Sequence, residues 1–308
     1  MTLRVSFCCA DTEAQPWLDG LRAVLPQADI SLWKSGDAQA DYAVVWAPPQ
    51  TFFDEQPGLK AAFNIGAGVD ALLRLRVAPT TPLVRLDDAG MAAQMAEYVC
   101  HAVLRFYREF DAYEGQQAQA RWHQREVPER AQCPVGIMGL GVLGEHVAKA
   151  VAALDFPVNG WSRSAKSVEG VRCYAGDAQL GAFLAASKVL VSLMPLTPQT
   201  RDILNRQTLS QLQAGAYLIN VARGAQLVEE DLLFLLDSGH MAGAALDVFR
   251  TEPLPADHPF WAHPKVRVTP HISARTLRSE SIRQIANKLM AMERGEPVAG
   301  VVDRSAGY

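Results

Sequence analysis

The 308 residues carry 33 acidic and 29 basic side chains, a net charge of −4, with 49% apolar and 20% charged residues. These are the proportions of a soluble globular chain long enough for two domains. They leave no basic field for nucleic acid or an anionic membrane surface, and no apolar run reaches bilayer-spanning length. The opening segment, MTLRVSFCCADTE, lacks the shape of a secretory signal. Five cysteines (Cys8, Cys9, Cys100, Cys133 and Cys173) are scattered and form no zinc-type pair. Reduced thiols in a cytoplasm, with no metal, is the expectation.

Residues 3 to 90 read as short strands alternating with helices: strands at Leu3–Phe7, Ile30–Trp33, Tyr42–Trp46 and Ala61–Ile65, with a helix at Gln15–Leu25. Such alternation implies a parallel sheet with helices on its faces. From Met91 a helix is expected to run without a break towards Tyr113, with Met95, Val99, Ala102, Val103 and Phe106 on one stripe. Residues 114–132 are polar and read as a solvated arm or, because Trp122 stands within it, a dimer contact.

From Pro134 the alternation resumes. An apolar run, Val135–Met138, leads into Gly139, Gly141 and Gly144 in G-x-G-x-x-G spacing. A helical apolar pattern follows, and then a second strand-like run, Pro157–Trp161. Strand, glycine turn, helix and strand together indicate a dinucleotide-binding unit rather than a plain glycine-rich turn. Gly139 permits the tight turn, Gly141 lets backbone approach a pyrophosphate, and Gly144 lets helix and strand pack closely. The helix start adds N–H groups and a positive dipole end. At the end of the second strand stand Trp161, Ser162, Arg163 and Ser164, with Lys166 soon after and no carboxylate. A carboxylate there would receive the ribose 2′-hydroxyl of NAD and repel a 2′-phosphate, whereas an arginine fork and hydroxyls would hold that phosphate. NADPH is therefore expected over NADH.

Further elements are expected at Leu180–Ala186 (helix), Val189–Met194 (strand), Ala216–Val221 (strand), Glu229–Ser238 (helix), Met241–Asp247 (strand) and Val266–Thr269 (strand). A last helix, Arg278–Arg294, has no obvious place in a nucleotide domain and is expected to return to the first one.

Several segments resemble signatures of the D-isomer-specific 2-hydroxyacid dehydrogenases. They are Asn64–Asp70 (NIGAGVD), Leu193–Asn205, Asn220–Gly224 (NVARG), Asp247–Pro255 (DVFRTEPLP) and Thr269–Ala274 (TPHISA). The resemblance covers nearly the whole chain. Trp46, the stretch Asp88–Tyr98 and the tail Val302–Tyr308 make it most similar to the glyoxylate/hydroxypyruvate reductase A group.

That resemblance implies two doubly wound parallel-sheet domains with a cleft between them. A flavodoxin-like substrate domain would comprise 1–97 plus 271–308, and a Rossmann cofactor domain 98–270. It implies a homodimer and reduction of small 2-keto acids, glyoxylate or hydroxypyruvate. His271 would be the proton donor, Glu252 its partner, and Arg223 the cation for carboxylate and ketone oxygens. The chemistry agrees: imidazole titrates near neutrality, a carboxylate orients it, and a guanidinium stabilises a developing alkoxide. Singly these could be a turn arginine, a loop glutamate and a structural histidine; their conjunction beside a cofactor turn carries the reading. The other histidines (His101, His123, His146, His240, His258 and His263) lack a companion motif.

The implied cofactor contacts extend to Leu140, Val142, Leu143, Met194, Pro195, Val221, Ala222 and Asp247, with Asp247 accepting from the nicotinamide amide. Ile65, Gly66, Ala67 and Gly68 would bind the substrate carboxylate through backbone N–H groups, and Trp46 would wall the pocket. The alternatives are a lactate- or phosphoglycerate-type member of the family, or a non-catalytic NAD(P)H-sensing protein like the corepressors of this fold. No tail for recruiting a partner is evident, which disfavours the sensor.

Overall fold

The computed structural model describes Thr2–Gly307; Tyr308, the end of the tail segment, lies outside the described residues. The chain forms two compact units, 1–91 with 275–308, and 92–274. The crossings fall earlier in the first connection and later in the second than sequence suggests. Met95 and Ala96 are the reason at the first crossing, since both pack into the core of the second unit.

The first unit opens with β1 (Leu3–Cys9), α1 (Ala14–Val24), β2 (Ala28–Leu32), β3 (Tyr42–Trp46), α2 (Gln50–Glu55), β4 (Ala61–Asn64) and β5 (Leu83–Arg85). The strands form a parallel sheet in the order β2-β1-β3-β4-β5, the flavodoxin-like arrangement. Alternate residues of β3 face opposite ways: Tyr42 and Val44 join one core, Ala43 and Val45 the other. Burial on both faces explains why the strand is apolar throughout. Phe7, Phe63 and Leu21 are wholly buried, each contributing roughly 2 kcal/mol.

The second unit contains all but the first residue of α3 (Met91–Tyr107), then α4 (Phe110–Ala118), β6 (Val135–Met138), α5 (Val142–Ala152), β7 (Val158–Ser162), β8 (Val171–Ala175) and α6 (Gly176–Ala185). It continues through β9 (Val189–Ser192), α7 (Arg206–Leu209), β10 (Ala216–Asn220), α8 (Glu229–Asp237), β11 (Met241–Leu246) and β12 (Val266–Val268). Seven parallel strands run in the order β12-β11-β10-β9-β6-β7-β8. In the order of the unit's own strands this is 7-6-5-4-1-2-3. The progression reverses between β6 and β9, the switch point where doubly wound sheets bind ligands.

The single helix expected from Met91 to Tyr113 is two. Glu109 adopts φ 53° and ψ 39°, a left-handed break between α3 and α4. Beyond α4 the polar stretch is irregular apart from one 3-10 turn at Arg130–Gln132, and Trp122 is wholly exposed.

The chain then returns to the first unit as α9 (Arg278–Glu293), whose Ile282, Ile285, Ala286 and Leu289 complete the core holding Phe7 and Phe63. Lys288 is buried among three acceptors: Asp87 Oδ2 at 2.6 Å, Ala299 O at 2.8 Å and Arg85 O at 3.0 Å. Val301 pairs antiparallel with Val84 on the β5 edge. No helix among the described residues is long and apolar enough to cross a membrane.

Candidate active site

The glycine turn lies where β6 ends and α5 begins. Gly139 has φ +116°, a conformation side chains rarely adopt, and a methyl there would lie 2.8 Å from the Leu193 carbonyl carbon after β9. At Gly144 a methyl would strike the Gly139 carbonyl oxygen. At Gly141 it would meet nothing within 4 Å. The turn is thus closed against its own protein and open at the middle glycine, beside the exposed Val142 at the first helical position. Backbone that leaves such space at a helix start fits a dinucleotide pyrophosphate.

Leu193–Pro195, opposite Gly139, is held by a residue the motifs did not suggest. Gln226 is fully buried; its amide donates to the carbonyls of Met194 and Pro195, both at 3.0 Å, and its oxygen accepts from Ser192. Leu140, Met194, Val221 and Ala222 are buried, so any contact with a cofactor would come from their backbone or edges. Leu143 is half-buried.

At the β7 terminus Trp161 proves to be core. Its indole N–H donates to Gly176 O at 3.0 Å and its ring packs with Tyr174 and Phe183. The outward residues are Ser162, whose hydroxyl donates to Ser164 O, then the exposed Arg163, Ser164 and Lys166.

Arg223, Glu252 and His271 come from segments following β10, β11 and β12. Asn220 shapes the first of these, its side chain accepting from the Ala222 N–H and donating to Arg223 O. Gly224 lies so close to the Phe249 backbone that any side chain would collide with it, which draws the β10 and β11 loops together. Glu252 accepts from Phe249 N through Oε1 at 2.9 Å and from His271 Nδ1 through Oε2 at 2.8 Å. Burial alone would raise the Glu252 carboxyl's pKa. The hydrogen bonds from His271 and Phe249 and the positive charges of His271 and Arg223 outweigh it and hold the carboxyl below the usual range. The three groups therefore share one electrostatic neighbourhood. With Nδ1 committed to Glu252, His271 presents Nε2, and its side chain is 46% exposed.

His271 itself has φ 54°, a left-handed conformation costing on the order of 1 kcal/mol for a side-chain-bearing residue. Asp247 sustains it. Its backbone oxygen accepts the His271 N–H, and its fully buried carboxylate accepts from Thr269 Oγ1 (2.6 Å), Ile272 N (2.9 Å) and Ser273 N (2.7 Å). Asp247 was expected to face a cofactor amide. The structure commits both of its oxygens to the loop that carries the histidine.

In the first unit, β4 ends at the buried Asn64, whose amide donates to Gly66 O and Gly68 O, both at 2.9 Å. The Trp46 ring lies close enough to Gly66 to leave no room for a side chain there, and is otherwise exposed.

Residues 100–273 match the family described as D-isomer specific 2-hydroxyacid dehydrogenase, NAD binding domain. A glyoxylate/hydroxypyruvate reductase A from Yersinia enterocolitica is 48% identical over 96% of this chain and 97% of its own. The chain belongs to the D-isomer-specific 2-hydroxyacid dehydrogenase family. Among solved structures, a member from Xanthobacter autotrophicus Py2 in complex with NADPH and MES superposes with a TM-score of 0.95, at 40% identity and full coverage of both chains. An NADPH-dependent glyoxylate/hydroxypyruvate reductase from Sinorhizobium meliloti, in complex with NADP and sulfate, does so at 0.93, with 37% identity over 99% of this chain and 100% of the other.

Proposed function

We propose that this enzyme reduces glyoxylate to glycolate and hydroxypyruvate to D-glycerate with NADPH. The observation that carries the reading is the 2.8 Å pairing of His271 Nδ1 with Glu252 inside the field of Arg223, three groups delivered by three strand-end segments. The names of the relatives support the substrates, and their bound NADPH or NADP supports the cofactor.

The turn Gly139–Gly144 would hold the pyrophosphate, with Leu140, Val142 and Leu143 around it and Met194, Pro195, Val221 and Ala222 along the rest of the dinucleotide. Ser162, Arg163, Ser164 and Lys166 would hold the 2′-phosphate, since this strand end presents hydroxyls and cations and no carboxylate. Bound NADPH supplies the hydride. Arg223 grips the substrate carboxylate and ketone oxygen, and its charge stabilises the oxygen as negative charge builds there. The proton on His271 Nε2 passes to that oxygen and yields the hydroxyl. Glu252, fixed at Nδ1, orients the ring and balances its charge. The exposed ring edge then regains a proton from solvent. Reversal makes His271 the base.

In the first unit the Ile65 N–H is spent on Val45 O at 3.1 Å and Asn64 engages the carbonyls of Gly66 and Gly68, so it is the N–H groups of Gly66, Ala67 and Gly68 that would meet a carboxylate. Trp46 on Gly66 favours short acids over long or phosphorylated ones. The five unpaired thiols suit a reducing cytoplasm, and the wholly exposed Trp122 suits burial against a second copy of the chain, so we infer a cytoplasmic homodimer.

The deciding experiment is a panel of keto acids with NADPH and with NADH, following cofactor absorbance. Fastest turnover of glyoxylate and hydroxypyruvate with NADPH is expected. Preference for phosphorylated or longer acids would move the enzyme to another specificity in the family, and NADPH binding with no turnover of any short keto acid would make it a sensor.

A further inference from the structure

A chain of hydrogen bonds runs from α3 to the histidine loop and is used by none of the steps above. Tyr98 Oη lies 2.7 Å from Thr269 Oγ1, and Thr269 Oγ1 lies 2.6 Å from Asp247 Oδ1. Chemistry fixes the direction of both bonds. A carboxylate only accepts, so the single hydroxyl proton of Thr269 is committed to Asp247, and Tyr98 must donate to Thr269. Burial, partly offset by the bond to Thr269 and reinforced by the charge of Asp247, pushes the Tyr98 phenol up to about 12. It therefore remains a donor throughout the working range of an enzyme.

The other end of the chain is the loop itself. Asp247 also accepts the N–H groups of Ile272 and Ser273, the two residues directly after His271, and its backbone oxygen accepts the His271 N–H. A left-handed residue that carries a side chain is held there at a cost, which its surroundings must offset. Here four hydrogen bonds converge on one buried residue to do so. Bonds in such a series polarise one another, so the carboxylate's grip on the loop depends on the hydroxyls behind it.

We propose that Tyr98 and Thr269 are positioning residues for the reduction step, setting through Asp247 the backbone conformation that aims His271 Nε2. They touch neither substrate nor cofactor in this account. The inference rests on His271 being the proton donor.

Four variants test it: Thr269→Val, Thr269→Ser, Tyr98→Phe and His271→Ala, each assayed for kcat, keto-acid KM and NADPH Kd. Amide hydrogen exchange at Ile272 and Ser273 is measured alongside, without cofactor. In Thr269→Val, kcat should fall roughly tenfold or more, as loss of a hydrogen bond to a charged group implies, with KM and Kd nearly unchanged. Both amides should exchange faster. Thr269→Ser should restore both properties, and Tyr98→Phe should show the same pattern at about threefold. Should Thr269→Val fail to fold, Tyr98→Phe carries the test alone. Wild-type kcat or unaltered amide exchange in a folded variant overturns the proposal. If His271→Ala is inactive while Thr269→Val and Tyr98→Phe are normal, only the positioning chain fails. If His271→Ala itself keeps its rate, the proton-donor assignment is at fault.

Discussion

Both units are parallel sheets covered by helices, yet they stabilise their strand-end loops by different means. In the first unit one neutral amide, Asn64, holds the 64–68 loop from within a few residues. In the second, buried polar groups remote in sequence do the work: Gln226 holds 193–195 across 31 or 32 positions, and Asp247 holds 269–273 across 22 to 26. A locally held loop can shift as a piece. Loops held by a common buried framework keep their mutual geometry, which hydride and proton transfer to adjacent atoms requires.

The sharpest break in that contrast comes from the second unit. His271→Ala should lower kcat by about 10²- to 10⁴-fold, the range of general-acid catalysis, while NADPH affinity measured by fluorescence titration changes less than about twofold. Next, Arg163→Ala should raise the KM for NADPH by roughly 10- to 100-fold and leave the NADH value almost unmoved, since only the former carries the 2′-phosphate. In the first unit Asn64→Ala should raise keto-acid KM about tenfold with little change in NADPH Kd, because two neutral hydrogen bonds are lost and the loop is freed. A kcat effect there as large as that of His271→Ala would erase the distinction between the two units.

Smaller effects concern stability. Replacing Lys288 by Met leaves Asp87 and two carbonyls without their buried donor and should reduce unfolding free energy by about 2 kcal/mol, read from the urea midpoint at constant slope. Glu252 gives the pH counterpart. Its folded pKa is depressed, so its contribution is complete above the ordinary glutamate value of 4.5 and is lost as pH falls through the lower folded one. The Tm difference between wild type and Glu252→Gln should accordingly shrink on acidification below that value. A difference that grows would reverse the sign assigned to the pairing.

Local features were plain in the sequence. Glycine spacing after an apolar run, strands apolar throughout and the strand-end residues Ser162–Ser164 each announce themselves within a few positions. The break at Glu109 was not, because α3 and α4 meet at a left-handed residue with no glycine or proline to mark it. Short β5 and the single-turn α7 offer too few residues for a period to register. In the site, Gln226 and Tyr98 were invisible for a different reason. Their roles are hydrogen bonds between distant segments, 171 positions apart for Tyr98 and Thr269, and only folding creates them. Trp161 and Asp247, both expected beside a cofactor, lie buried in the folded chain with hydrogen bonds to protein groups that no local pattern announced.

The placement of α9 bears on how the protein is made. A ribosome delivers every strand of the seven-stranded unit before the helix whose Ile285 and Leu289 close the core around Phe7. At about 5–20 residues per second, the first 91 residues wait on the order of ten seconds or longer, their apolar face open to chaperones, while 92–274 is already able to fold. Nascent chains stalled soon after residue 274 clears the exit tunnel should thus show protease-resistant 92–274 and digestible 1–91.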